Sequence, residues 1–227
     1  MGRVDDGRAH ARRNRAAWLP WLLLAATMMT GLPAAADNAS MPTQPSKPMH
    51  PTTSASTSVE DGDLHLDVQM SMPAADTVEL RYRLRNGGQA AVAVFDRGDR
   101  HAVLSGRQGK GAVAAPSFED TGDGGVVLRH VARPVATGPT GPTSPHTPLA
   151  LKLEAGAVLE DGFRFSIPSS APQRLRWCLG VAPFEQDRFF APERGAGGEV
   201  WQTTDASAQR ELCTSWFDRA RGVFAEP

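Results

Sequence analysis

The sequence predicts an all-β domain, an antiparallel sandwich of about seven to nine strands. Three observations point there. Apolar residues recur every second position over long stretches, turn-forming Gly, Asn, Asp and Pro clusters separate those stretches, and no comparable run has helical spacing until the last twenty residues. One-sided strands of this kind do not suit a parallel α/β sheet, which is covered on both faces by crossover helices. Two antiparallel sheets packed face to face bury all the apolar faces at once.

The folded part is expected from residue 62 to about 224. The first strand, Asp63–Met72, alternates without a break. Leu64, Leu66, Val68, Met70 and Met72 fall on one face, and Asp63, His65, Asp67, Gln69 and Ser71 on the other. The second strand turns Val78, Leu80, Tyr82 and Leu84 inward and Glu79, Arg81, Arg83 and Arg85 outward. Asn86-Gly87-Gly88 then reads as a tight turn, because Asn and Gly tolerate positive φ, and Ala90–Phe95 as the hairpin partner. Further strands are expected at Val126–Val131, Leu149–Glu154, Gly162–Ile167, Leu175–Val181 and Leu212–Phe217, the last two linked directly or through a short Val200–Thr203 strand. Asp205–Gly222 also fits a helix, since Ala208, Leu212, Trp216 and Ala220 recur every four residues. The strand is preferred because it closes the sandwich and gives Cys213 a partner.

Ahead of this domain lie two segments of different character. Arg8, Arg12, Arg13 and Arg15 precede an uncharged apolar run, Ala16–Ala36, broken by Gly31 and Pro33 and ending in three alanines. A basic start, a short apolar middle and small residues at the end are the parts of a secretory signal peptide, so residues 1–36 are expected to be removed after Ala36. The alternative is an uncleaved anchor, for which the run is long enough. Asp37–Asp61 is rich in Ser, Thr and Pro and is expected to be a disordered tether.

Composition narrows the function. Loss of residues 1–36 takes five Arg and two Asp, leaving 19 basic against 23 acidic residues and a net charge of −4. Such a balance offers no electrostatic reason to bind nucleic acid or anionic lipid. The expected location is periplasmic or secreted, and there the two cysteines of the chain, Cys178 and Cys213, are expected to form a disulfide. With Leu175, Trp177, Leu179 and Val181 facing the core, Cys178 falls on the other face of its strand. Leu212, Thr214 and Trp216 likewise leave Cys213 outward, so the bond is expected across neighbouring strands.

Few residues suggest chemistry. Met41, Met49, His50, Met70 and Met72 hint at soft copper coordination, but Met70 and Met72 belong to an apolar strand face. His65 lies on a solvent face, His101 and His146 in loops, and His130 shares a face with Val126 and Leu128, as a core histidine does. Asp120–Gly125 lacks the acidic spacing of a calcium loop and reads as a turn. Asp96–Arg100, which contains Arg97-Gly98-Asp99, reads as a charged turn. Glu160-Asp161 reads as solvated. No Gly-x-Ser-x-Gly, His-Glu-x-x-His or phosphate loop occurs, so no catalytic, metal or cofactor residues are assigned and no cofactor is expected. The candidate binding loop is Pro183–Glu199 with Phe184, Phe189 and Phe190, and Trp201 just beyond. The competing reading folds these rings back over the rim of the core.

The stretch Val78–Phe95, an alternating strand with Tyr82 and Leu84, then Asn86-Gly87-Gly88, then an apolar strand, resembles secreted bacterial immunoglobulin-like domains. It is also similar to the hairpin of bacterial β-sandwich proteinase inhibitors. The resemblance implies an immunoglobulin-like β-sandwich and transfers no functional residue. The expected function is a non-catalytic binding or interaction module of the cell envelope, with an envelope protein or glycan as partner. The alternatives are a periplasmic copper-binding protein, an inhibitor-like domain and an enzyme.

Overall fold

The computed structural model describes residues 54–133, 146–167, 172–195 and 197–226. Residues 1–36, the rest of the expected tether up to residue 53, Met41, Met49 and His50 lie outside them. Two sheets pack together, as the alternating pattern requires.

The first sheet holds β1 (Ser54–Asp61), β2 (Leu64–Ala74), β3 (Thr77–Asn86) and β8 (Val158–Ser166) in the order β1-β2-β3-β8, all antiparallel. The alternation of β2 and β3 is as read from the sequence. Leu66 faces Leu84, Val68 faces Tyr82 and Met70 faces Leu80 across the ladder, and all six are buried. The second sheet holds ten strands. In chain order they are β4 (Val92–Val94), β5 (Ser117–Asp120), β6 (Gly125–His130), β7 (Leu149–Leu153) and β9 (Arg174–Pro183), then β10 (Phe189–Gly195), β11 (Gly198–Thr203), β12 (Arg210–Cys213), β13 (Phe217–Asp218) and β14 (Val223–Phe224). One short helix, α1 (Arg100–Leu104), follows β4. The main core lies between the sheets, where Leu175, Trp177, Leu179 and Val181 of β9 meet the inward residues of β2 and β3. A smaller apolar cluster of Ala93, Phe95, Ala132, Ala150, Ala182, Phe189 and Trp201 packs separately.

Six expectations are corrected. Ser54–Asp61, assigned by composition to the tether, is strand β1 paired along its length with β2. Its half-buried positions are Ala55, Thr57, Val59 and Asp61, so its apolar signal is faint. Ala90–Phe95 is not the hairpin partner of β3, because β4 pairs with β7 and β9 in the other sheet. Asn86 is buried and its amide donates to the carbonyls of Ala90, Leu153 and Glu154. It pins a crossing between sheets, and neither Gly87 nor Gly88 takes the positive φ that a tight hairpin turn demands.

Asp96–Arg100 is not a solvated turn. Asp96 and Arg97 are 0% and 1% exposed, and their partner Asp161 is half-buried. Pro183–Glu199 is not a long loop, since much of it is strand β10 of a hairpin with β11. Last, the segment Leu212–Phe217 is a strand only in part. The Thr214 amide donates to the Trp177 carbonyl and the Thr214 hydroxyl accepts from the Trp177 amide, and the chain then shifts face. Phe217 is buried as a result, and Trp216 lies half-buried with the Arg174 guanidinium 4.6 Å from its ring.

Candidate functional site

The second sheet forks. β9 carries two neighbours on one edge: β6, parallel to it along Arg174–Leu179, and β4, antiparallel along Val181–Pro183. Between them stands Gly180, whose carbonyl accepts from the Phe95 amide. A Cβ there would lie 2.5 Å from Gln209 Oε1 and 3.2 Å from the His130 carbonyl, so only glycine lets both approach. Gln209 in turn accepts from the Ala132 amide at 2.7 Å and donates to the Ala132 carbonyl. Beyond the fork the segments that follow β4 (Phe95–Asp99) and end β6 (Arg129–Arg133), with Val113–Ser117, line a cleft of about 490 Å³.

Its floor is Phe95, Ala114, His130 and Ala132, all buried. Its mouth carries Asp99, Arg107, Arg129, Arg133 and His146. Arg133 and His146 are the described residues on either side of 134–145.

His130 is the core histidine the sequence suggests, with both ring nitrogens satisfied. The Trp177 indole N–H donates to Nδ1 at 3.0 Å, so Nε2 carries the proton and donates to the Ala114 carbonyl at 2.8 Å. The Phe163 ring meets it edge-on at 4.7 Å. Burial pushes its pKa down to about 4, against the Ala114 carbonyl and helped by the Arg97 charge. The ring is therefore neutral at physiological pH.

The cleft wall is tied to both sheets. The Asp96 carbonyl accepts from the Ala114 amide, and its carboxylate accepts from the Tyr82 hydroxyl of β3. Arg97 contacts Asp96 at 3.3 Å and donates to Asp161 of β8 at 2.9 Å. Burial pushes the Asp96 pKa up to about 6, although Arg97 and the Tyr82 hydroxyl both favour the charged form. Burial also raises the Tyr82 pKa, and the neighbouring Asp96 carboxylate adds to the rise. Asp96 Oδ1 and Arg97 Nε touch as ions without a well-aligned hydrogen bond. Gln108 donates to the Arg97 carbonyl at 2.7 Å and so holds the next residue, Gly98, which has φ +66° and no room for a side chain.

At the rim, Asp99 caps α1 by accepting from the Ala102 amide and also contacts His146 Nδ1 at 3.0 Å. Burial raises its pKa, but the Ala102 amide and His146 more than offset this and hold the carboxyl below its usual range. Arg129 is engaged by Glu119 and Glu211. The Ser117 hydroxyl is spent on the Arg129 carbonyl. With Arg97 buried, Arg97-Gly98-Asp99 is not displayed at the surface.

The sequence-derived candidates sit elsewhere. Phe184 stacks on Phe189 with ring centres 4.7 Å apart and meets Trp201 edge-on at 5.2 Å. Phe189 and Trp201 are buried and Phe184 is half-buried, so of the four rings only Phe190 is exposed. The rings fold back over the sheet, with Lys152 above Phe184. Among the described strands β10 pairs only with β11, and its free edge carries Pro192, Glu193, Arg194 and a register shift, features that discourage pairing with another chain.

Cys178 and Cys213 are bonded and stand directly opposite each other on β9 and β12, their Cα atoms 4.1 Å apart. The cross-strand bridge matches the parity reading. Cys178 is nonetheless buried, not exposed, because β9 has partners on both edges and Arg129 flanks it in register. Among the described residues Cys178, Glu211 and Cys213 are the one grouping of metal-ligating atoms, and its sulfurs are bonded to each other. Met70 is buried and Met72 half-buried in the main core, as ordinary strand residues. His65 contacts Glu60 and Asp67 on the solvent side, and His101 lies in α1. Thr121–Gly124 turns the chain between β5 and β6. No helix among the described residues is long and apolar enough to cross a membrane.

No family model, curated protein or solved structure matches the chain.

Proposed function

We propose that the protein is an exported, non-catalytic binding module of the cell envelope, built on an immunoglobulin-like sandwich, and that its working surface is the fork cleft. One observation carries this reading: a cleft of about 490 Å³ with a buried, hydrogen-bonded floor, a size that suits a small ligand or one arm of a larger one. The floor is held by His130, Trp177 and the Asp96–Arg97 pair, so the shape is preorganised. The disulfide and the basic-apolar start of the chain support export. The two packed sheets support the immunoglobulin-like assignment, although the forked ten-stranded sheet and the bridge within one sheet depart from the antibody pattern.

A non-catalytic role is favoured by how the polar groups are spent. Asp99 and His146 form a pair at the rim, but the nearby Ser105 and Ser117 hydroxyls donate to main-chain carbonyls. Neither is set up as a nucleophile beside a base. The test is native mass spectrometry of the protein after incubation with the small-molecule fraction of envelope extract. A bound mass is expected in wild type and in Phe190→Ala, and its loss in Ala115→Trp, where an exposed cleft residue becomes a plug. Retention of that mass in Ala115→Trp rejects the cleft, and a mass change in the ligand itself rejects the non-catalytic reading.

A further inference from the structure

Resting on the cleft as the working surface, we propose that it takes a small amphipathic anion, a carboxylate head on an apolar body. Phe95, Val113, Ala114, Pro116, Val131 and Pro148 make up the apolar part of the cleft lining. Among the described residues that line it, the charged groups are unequal in sign: Arg107, Arg129 and Arg133 stand against a single acid, Asp99.

The acid is already committed. Its two oxygens meet the Ala102 amide and His146 Nδ1, so little of its charge is left to repel an incoming anion. Arg129 is also committed, to Glu119 and Glu211, and contributes a wall more than a charge. Among the described residues that leaves Arg107 and Arg133, both exposed and both lining the cleft, as His146 does. Among the described residues Arg107 donates its Nε to Ser105, and its terminal nitrogens keep the fork geometry suited to a carboxylate. His130 adds no charge at the floor, because it is neutral and both its nitrogens are taken. An apolar floor beneath a cationic mouth fits an anion whose body enters first. It disfavours a cation of the same shape, and a fully polar anion gains nothing from the floor.

The test titrates the purified protein with three probes, octanoate, octylammonium and acetate, followed by calorimetry. Octanoate is expected to bind saturably in the millimolar range or below, to weaken with added salt, and to lose at least about tenfold in affinity in the Arg107→Ala/Arg133→Ala double variant. Octylammonium and acetate are expected to show no saturation. Both arginines are exposed, so the double variant keeps its fold, which an unchanged melting temperature checks. Equal binding of octanoate and octylammonium, an unchanged affinity in the double variant, or no octanoate binding at all overturns the inference. These failures leave the cleft reading standing so long as Ala115→Trp still removes the ligand taken from envelope extract. If Ala115→Trp retains that ligand, the cleft itself is wrong.

Discussion

The aromatic hairpin and the fork cleft make opposite use of their residues. Pro183–Trp201 looks adhesive in sequence, yet Phe184, Phe189 and Trp201 satisfy one another and leave only Phe190 exposed. The segments around Asp96–Arg100 and Val113–Ser117 look like connecting turns, yet they wall a cleft that reaches a buried floor. Apolar surface that can close on itself does so, because burial stabilises by roughly 25 cal/mol per Å². A surface stays open where buried polar groups hold the backbone apart. In this chain a strand with two partners on one edge creates the gap, and Asp96, Arg97 and His130 keep it from collapsing.

The comparison breaks first at Arg97. Arg97→Ala leaves the fully buried Asp96 and the half-buried Asp161 without their cation, and is expected to cost about 3–5 kcal/mol in urea unfolding. A loss under about 1 kcal/mol means the pair is not buried as described. Trp201→Ala tests the hairpin. It removes a ring that is 7% exposed and should cost about 3 kcal/mol while leaving ligand binding intact. If binding falls with the ring and stability does not, the hairpin is the working surface.

The buried titratable groups of the floor and wall, His130 and Asp96, should also be readable in pH. Asp96 has its folded pKa raised to about 6, so the folded protein holds a proton that the unfolded chain has released. Its stabilising contribution is full below about pH 4 and is lost as pH rises through 6. His130 runs the other way. Its folded pKa is lowered to about 4, so its contribution is full above about pH 6.5 and is lost as pH falls to 4. Each shift amounts to about 3 kcal/mol, and in wild type they oppose each other over one pH range. Asp96→Asn is therefore expected to be the more acid-labile variant and His130→Gln the less, with wild type between them, in unfolding measured from pH 4 to 6.5. Identical slopes in the two variants would remove the account of both groups. The smallest effect is expected at Phe190→Ala, under about 0.5 kcal/mol, since the ring is 44% exposed.

Much of this fold was legible where side chains alternate strongly. β2, β3 and β9 declare themselves through Leu, Val and Met at every second position, and the strand parity of β9 and β12 placed Cys178 opposite Cys213. His130 was legible as a core residue from its neighbours Val126 and Leu128. The rest depended on contacts distant in sequence. Arg97 is buried because Asp161, 64 residues on, reaches it from the other sheet, and no local pattern carries that fact. Asn86-Gly87-Gly88 has the composition of a tight turn, but the carbonyls of Leu153 and Glu154 recruit Asn86 into a crossing. β1 was hidden because Ala55, Thr57 and Val59 bury too little apolar surface to stand out from a Ser/Thr-rich stretch. The cleft was illegible for the same reason as Arg97, since its walls come from segments far apart in the chain.

Two indole groups report on the two regions directly. The Trp177 indole N–H bonds to His130 at the cleft floor, and the Trp201 indole N–H bonds to Glu199 in the hairpin. Indole proton–nitrogen resonances followed while the small-molecule fraction of envelope extract is added therefore test the central claim. The Trp177 resonance is expected to move and saturate while that of Trp201 stays in place. Movement of Trp201 with Trp177 unchanged would contradict it.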